Sequence, residues 1–522
     1  MKRITIITIF ATILINSSNL FAAATNDILL IQSPKYKKLS FDYKIDSFFL
    51  PVSEDLIKST DITAPNGDAT FIVANYSQKL KDAISQFSLG TKDPFVFSLD
   101  IPSEIILTLK NKKDYSRAAL ELASLNLTIW IFNKYIMKES WANISLESIS
   151  KNLKSGFAWD IDTFRTNQLG HPYHGAIHYS VARANGLNFF ESTIYSTLGS
   201  YMWEVFLESI RPSKNDIIIN TLGGITLGEA LFKIADLVVD ESSGGLERAL
   251  RESFAFIINP AYGFRAFSGK AFKTGNPPEK HYYSLEFPFG VYRSSADKPT
   301  FVIEANLEYK DFLKINLSEI NPYDWFTLDF RLGLSDDGFQ DKEIFTTGIL
   351  TGKKVKNGLA GLFGVFDYIN SNIGDKMSAI GVGPGILTIF VSDSDFFFNS
   401  SGVLSLIWGG SSPSFDLENS HFGKKTNDPY FLGPGMLGRF KLELGKKDLG
   451  SIDTGFSQYW IHSIHTNTNE FLAILSLNLK CDISDKSQIK LGYDYYLRHA
   501  SLQKEYFRGA KQAICALYVL KF

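Results

Sequence analysis

The sequence predicts an α+β chain, with an N-terminal and central α-helical domain followed by a C-terminal antiparallel outer-membrane β-barrel of about 12 strands. Three observations predict it. Apolar residues recur at helical spacing up to about residue 270, they alternate at period two from His281 onward, and the chain stops on an alternating strand that ends in Phe522.

The order of elements begins with Met1, Lys2 and Arg3, an apolar run from Ile4 to Leu14, and a small-residue stretch Leu20-Phe21-Ala22-Ala23-Ala24. That is the pattern of a secretory signal peptide over 1–24, cleaved near Ala22 or Ala24. The apolar run is too short for a membrane anchor, and no Cys stands near it to carry a lipid. Residues 25–111 read as a mixed segment, 112–270 as the helical domain, and 281–522 as the barrel. The two cysteines, Cys481 and Cys515, fall on two strands with another between them, which argues against a disulfide scaffold. A net charge of -2 without a dense Lys/Arg block excludes the electrostatic footprint of a nucleic-acid binder.

In the helical domain, Ser116 to Lys138 carries Leu120, Ala123, Leu127, Trp130, Ile131 and Lys134 at steps of three and four. Further helices are predicted over Phe189 to Ser209, capped by Asn188, from Pro212-Ser213 to about Val239, and over Gly245 to Ile258. Ser192, Ser196 and Ser200 on one helix, and Gly224 and Gly228 on the next, are small enough to let backbones approach closely. Gly223 to Gly228 lacks the spacing and preceding strand of a dinucleotide fingerprint, so packing explains it better.

In the barrel, Phe301, Ile303, Ala305, Leu307 and Tyr309 alternate with a mostly polar face, as do Phe326, Leu328, Phe330, Leu332 and Leu334. The pattern returns at Phe440 to Leu444, Ala473 to Cys481, Ile489 to Leu497 and Ile514 to Phe522, with a long polar stretch from Gly409 to Gly433. Strands of about ten residues, joined by short turns and long polar loops, favour a lipid-facing barrel over a soluble β-sandwich. Aromatic belts would use many of the 43 Phe and 23 Tyr. Tyr518, Leu520 and Phe522 form the terminal face that barrel-assembly machinery would read, which makes that machinery and outer-membrane lipid the expected partners.

The stretch from about Lys112 to Lys270 resembles a bacterial family called domain of unknown function 3943. The matching pieces are Ile131-Phe132-Asn133-Lys134-Tyr135, Gly156-Phe157-Ala158-Trp159-Asp160-Ile161-Asp162, and His171-Pro172-Tyr173-His174-Gly175 after Asn167. They continue through Arg183-Ala184-Asn185-Gly186, Gly199 to Glu204, Pro212 to Asp216, Gly223-Gly224 with Gly228-Glu229, and Ala235-Asp236-Leu237. Lys233 departs from the pattern, standing where the family has Arg, and offers an ammonium in place of a planar fork. The resemblance implies an exported, envelope-associated protein, often with a barrel-like C-terminal region, and implies no assigned reaction.

Three constellations carry potential chemistry. Asp160, Asp162, His171, His174 and His178 bring imidazoles and carboxylates close in sequence, as a general base or a divalent metal would require. Pro172 and Gly175 put His171 and His174 on a turn, where the blander role is to fix that turn by hydrogen bonds. His178 and Ser180 would share a face if the segment were a strand, in the order used by the outer-membrane phospholipase. On the helices, Glu204 and Glu208 prolong the Ser192, Ser196, Ser200 line, and Glu229, Lys233 and Asp236 share another face. Asp160, Asp162, His171 and His174 are expected to converge with Arg183, Glu204 or Asp216, because buried charges need partners. Nothing fixes a nucleophile beside the histidines, so a polar seam is favoured over a catalytic site, and no metal or cofactor is expected. The expected role is envelope structure, small-solute passage or lipid handling, with the helical domain periplasmic or docked on or inside the barrel. The alternative is a membrane-embedded hydrolase acting on lipid or lipid A.

Overall fold

A computed structural model describes residues 29–32, 37–42, 96–101, 113–159, 163–240, 243–267, 283–295, 299–309, 320–335, 338–371, 375–413, 430–464, 468–502 and 505–522. The signal-peptide region, Asp160 and Asp162 lie outside the described residues. The chain divides into two compact units, 1–112 and 113–522. The first contains three short antiparallel strands, β1 (Leu29–Gln32), β2 (Lys37–Asp42) and β3 (Val96–Ile101), with β2 in the middle.

The second unit begins with helices. Asp114 caps α1 (Tyr115–Ile131) by accepting from the Arg117 amide, and the helix continues as a π-helical turn to Met137. A reciprocal Ser145/Ser148 capping box opens α2 (Leu146–Ser155), and an Asn188/Glu191 box opens α4 (Phe189–Met202). Between them lies α3 (His171–Ala184), while Ser213 caps α5 (Lys214–Val238), followed by α6 (Gly245–Ile258) and α7 (Pro260–Phe267). The small residues do what their size allows. A β-carbon on Gly224 would lie 2.6 Å from the Gly175 carbonyl carbon, and Ser196 Oγ donates to the Gly175 carbonyl at 3.1 Å, so α3, α4 and α5 meet backbone to backbone.

Twelve strands then close an antiparallel barrel in sequence order: β4 (Tyr283–Ser294), β5 (Thr300–Tyr309), β6 (Phe326–Ser335), β7 (Gly338–Val355), β8 (Gly358–Ser371), β9 (Asp375–Val391), β10 (Phe396–Pro413), β11 (Tyr430–Lys446), β12 (Gly450–His462), β13 (Asn469–Ser484), β14 (Ser487–Leu502) and β15 (Glu505–Lys521). β15 pairs with β4 and leaves no free edge. Strand β10 runs to Pro413, and Gly410 pairs with Gly433, so part of the stretch expected as a loop is strand. Cys481 on β13 and Cys515 on β15 are free thiols with β14 between them.

Alternation separates the two faces of the wall. Glu304 on β5 is bonded by Arg331 of β6 and by Lys490 of β14, and Tyr292 of β4 donates to Asp494 of β14. β4 and β5 stand two and three places from β14 around the barrel, and side chains that reach over the strands between them do so on the concave interior. The adjoining positions Phe301, Ile303, Leu477, Leu491 and Ile514 point the other way and are exposed. A closed antiparallel barrel with a polar-ringed interior and an apolar exterior is the outer-membrane barrel fold.

The lumen is crossed by its own side chains. Arg331 bridges Glu304 at 2.8 Å and Glu343 at 3.2 Å, and Arg439 of β11 reaches Asp367 of β8, Tyr459 of β12 and Thr347 of β7. An apolar cluster including Ile349, Phe363, Leu437 and Ile461 joins the same walls, with Trp325 from the β5–β6 connection. Among the described residues this interior cluster contains no helix side chain, so the expectation of helices docked inside the barrel finds no contact to support it.

The helices instead meet the outward positions. Asp367 faces the lumen, and its neighbours Phe366 and Tyr368, pointing outward, are fully buried with Phe164, Ala176, Ile219 and Leu227. Leu307, Tyr309 and Phe326, on the outward face that carries Phe301 and Ile303, are buried with Tyr179, Phe189 and Ala230. Thus α5 packs along the outer wall. Ile219 lies beside Gly409 near the end of β10, and Leu237 packs on the cluster at the end of β5, which is the opposite rim.

Candidate functional site

α3 builds the first part of the site. His171, His174 and His178 occupy one helix, three and four residues apart, and so share a face. The turn expected at Pro172 is helical: a π-helical turn (Thr166–Gly170) runs directly into α3, and Pro172 stands just past the junction. Gly175 is there for another reason: a β-carbon would lie 1.9 Å from the Asn220 carbonyl oxygen of α5.

His171 Nε2 stands 3.5 Å from Asp216 Oδ1, in the first turn of α5. The His174 ring lies 4.2 Å from that of His178 and 4.9 Å edge-on to Trp203. His178 Nε2 is 2.7 Å from Asn126 Oδ1 of α1. Burial and the neighbouring imidazoles hold His174 well below the usual histidine range, and burial pulls His178 down to about 3. Both rings are therefore neutral near pH 7.

Glu204 comes from a π-helical turn (Trp203–Leu207) that follows α4. Its Oε2 accepts from the Ser213 amide at 2.8 Å, and the residue is fully buried. Burial, then the nearby Glu208 and Asp216, pushes its carboxyl well above the ordinary carboxylate range. Of the expected five-residue line, Ser192, Ser196, Ser200 and Glu204 are fully buried, and Glu208 leaves it. Glu208 sits in extended backbone past the helix, where Trp203 Nε1 donates to its Oε1 at 2.7 Å.

The expected convergence therefore holds for His171 with Asp216, and fails for Arg183. Arg183 forms a second cluster, with its Nε and Nη2 on the two Glu229 oxygens at 2.8 and 3.0 Å, and Tyr179 Oη donating to Glu229 at 2.7 Å. Lys233 stands 3.8 Å from Glu229 and 3.5 Å from Asp324 of the β5–β6 connection. Asp236, on the same helix, has its Oδ1 accepting from Tyr262 of α7 at 2.6 Å. The proposed His178–Ser180 pair is also overturned. On a helix these residues point to different sides, and Asn259 Nδ2 donates to Ser180 Oγ at 2.7 Å.

Several participants escaped the sequence reading. Tyr179 stands four residues before Arg183, a helical spacing that would have exposed it had the segment been read as a helix. Asn126 and Trp203 carry no local signal of their contacts. Among the described residues, no group of three or more His, Cys, Asp or Glu side chains is arranged to hold a metal ion. The arrangement can share protons and hydrogen bonds between neutral imidazoles and a buried acid.

The fold and site together define an outer-membrane barrel with a helical bundle packed on its wall. Residues 156–261 match the model of the family described as Domain of unknown function (DUF3943), within the broader stretch 112–270 that resembles it. That match spans α3, α4, α5 and α6, and so contains the three histidines, Glu204, Asp216 and the Arg183–Glu229 pair. No curated protein matches the chain. Solved structures similar to it include a loop-deletion mutant of OmpT, an outer membrane protein of Vibrio cholerae, at 8% identity over 46% of this chain and 98% of that one, with a TM-score of 0.22. The β domain of the Bordetella autotransporter BrkA is 11% identical over 46% and 99%, with a TM-score of 0.21. An outer membrane channel from Pseudomonas putida F1 is 10% identical over 47% and 99%, with a TM-score of 0.23. At such scores the barrel assignment rests on the closed strand order and the two faces of the wall.

Proposed function

We propose that this protein serves envelope structure and lipid handling at the outer wall of its barrel, and that small-solute passage is not its work. The observation that carries this reading is α5 lying along the outward face of the wall while the lumen is crossed by side chains of the barrel itself. Partners follow from the same placement: lipid of the outer membrane, and barrel-assembly machinery during biogenesis. The helical domain then belongs beside the barrel, with neither the periplasmic nor the lumenal position required.

The test is a comparison of two readouts on the purified chain. Planar bilayers should show no steady stepwise conductance, and photoactivatable acyl chains should cross-link to peptides from α1 and α4. Stable conductance steps together with cross-links confined to barrel strands would overturn the proposal. A lipid hydrolase remains the second reading, favoured by one observation, the His171–Asp216 approach at 3.5 Å beside the buried Glu204 carboxyl. Turnover of a lipid ester that is lost in His171→Asn, with folding intact, would select it.

A further inference from the structure

Helix α4 is built inside out. Its buried side carries Ser192, Ser196, Gly199 and Ser200, while Phe190, Ile194 and Leu198 are exposed at 70%, 58% and 53%. The exposed residues recur every four positions and so form one stripe, which Tyr201 extends. A helix that meets water carries the opposite pattern, apolar within and polar without. Small polar residues inside and large apolar residues outside are what helices need where the surrounding medium is as apolar as a leucine side chain. α1 shows the same trend, with Leu120, Leu127 and Ile131 exposed and Asn126 fully buried.

We propose that the α4 stripe is a lipid-contact face, and that its occupant is the acyl chains of the bilayer surrounding the barrel. Two further observations point to that occupant. The bundle sits on outward wall positions whose uncovered counterparts, Phe301 and Ile303, are themselves exposed and apolar, so the stripe continues a surface that already faces lipid. Among the described residues, α5 is the one helix long and apolar enough to cross a membrane, and it runs from one rim of the barrel to the other. Its 25 residues extend roughly 37 Å at the α-helical rise, against a hydrocarbon core of about 30 Å. α3 and α4, each joined to a π-helical turn, pack on it as buttresses. The inference rests on the reading of the barrel as a membrane protein working at its lipid side.

Spin labels test it in the full chain reconstituted in vesicles of phosphatidylethanolamine and phosphatidylglycerol. In a background of Cys481→Ser and Cys515→Ala, labels are placed singly at Ile194→Cys, Leu198→Cys and, on the barrel wall, Leu477→Cys. Accessibility to oxygen and to a water-soluble nickel chelate is then compared. The expected result is a label at Ile194 and Leu198 that oxygen reaches several-fold more readily than nickel, as at Leu477. Nickel access at both helix positions with a lipid-like Leu477 would overturn the inference and leave the barrel reading standing. Nickel access at Leu477 as well would overturn both. Protection of Ile194 and Leu198 from both probes would also overturn the inference, since a protein partner or a second copy would then cover the stripe.

Discussion

Ile219 of α5 directs its Cδ1 at Gly409 of β10, so closely that a β-carbon on the glycine would lie 2.5 Å away. The glycine is the notch through which the helix approaches the wall near that rim. Gly409→Leu should therefore push α5 outward while leaving the strand ladder intact, at a cost of about 1–3 kcal/mol for overpacking. The barrel should keep its heat-dependent shift on gels, and the bundle should become sensitive to added protease. Adding Ile219→Ala should restore much of the protection. Unchanged proteolysis in Gly409→Leu would mean that the contact does not hold the bundle in place.

The Arg183–Glu229 fork is expected to dominate the stability of the bundle. Removing one member of a buried, hydrogen-bonded pair leaves the other charge without compensation, a loss of about 3–5 kcal/mol. Arg183→Ala should give little folded bundle. Arg183→Lys should rescue it only in part, because one ammonium cannot reproduce two parallel bonds to Glu229 as well as the third to the Leu187 carbonyl at 2.7 Å. Denaturant midpoints of the two variants measure this directly.

How far the sequence could be read depended on which physical signal each element carries. α5 was legible because Ser213 caps it, its period is helical, and it stops cleanly at Val238. The terminal strand was legible because Ile514 to Phe522 alternates without interruption. α3 was misread because Pro172 and Gly175 look like turn residues, yet one follows a π-helical turn into the helix and the other clears space for the Asn220 carbonyl. Strands β4, β7, β8, β9, β10 and β12 were not singled out, and on β8 the physical reason is visible where the helices cover its outward side. There Val365 faces the lumen and Phe366 the bundle, both fully buried, and the period-two contrast disappears. The side of the barrel that receives the helices was illegible in principle, since an outward Phe366 or Tyr368 is apolar whether it meets lipid or α5.

A terminal recognition role for Phe522 is a proposal with a sharp control. Its amide donates to the Leu285 carbonyl at 2.9 Å, and its ring meets Phe287 edge-on at 5.6 Å, so it also fastens the last strand to the first. Deleting it should lower assembled protein in cells several-fold, read as heat-modifiable protein in membranes. Ser411, in the polar stretch expected as a loop, is no control for this, because it lies within β10 and is fully buried. Ser394, exposed in the β9–β10 turn, is the appropriate position, and its deletion should be nearly silent. Equal losses from the two deletions would reduce the role of Phe522 to ordinary strand content.

The buried imidazoles and the buried acid make the bundle respond to pH in opposite directions. For His178 the folded value of about 3 lies below the ordinary 6.5. The unfolded chain therefore takes up a proton first, so the stability contributed by the neutral ring is complete above pH 6.5 and falls as the pH drops toward 3. His174, lowered by burial and by His178 and His171, adds to the same limb. Glu204 is raised well above its ordinary 4.5, so its contribution is complete below pH 4.5 and is lost as the pH rises toward its folded value. Each group changes stability by at most about 1.4 kcal/mol per pH unit within its window. Protease protection of the bundle in detergent, measured from pH 4 to 9, should accordingly fall at both ends. His178→Gln, whose amide can still donate to Asn126, should reduce the acid limb to the part carried by His174 and leave the other limb unchanged. Glu204→Gln should flatten the other limb, because the amide stays neutral while its carbonyl still accepts from the Ser213 amide. A profile that neither substitution alters would show that these groups titrate alike in the folded and unfolded chain.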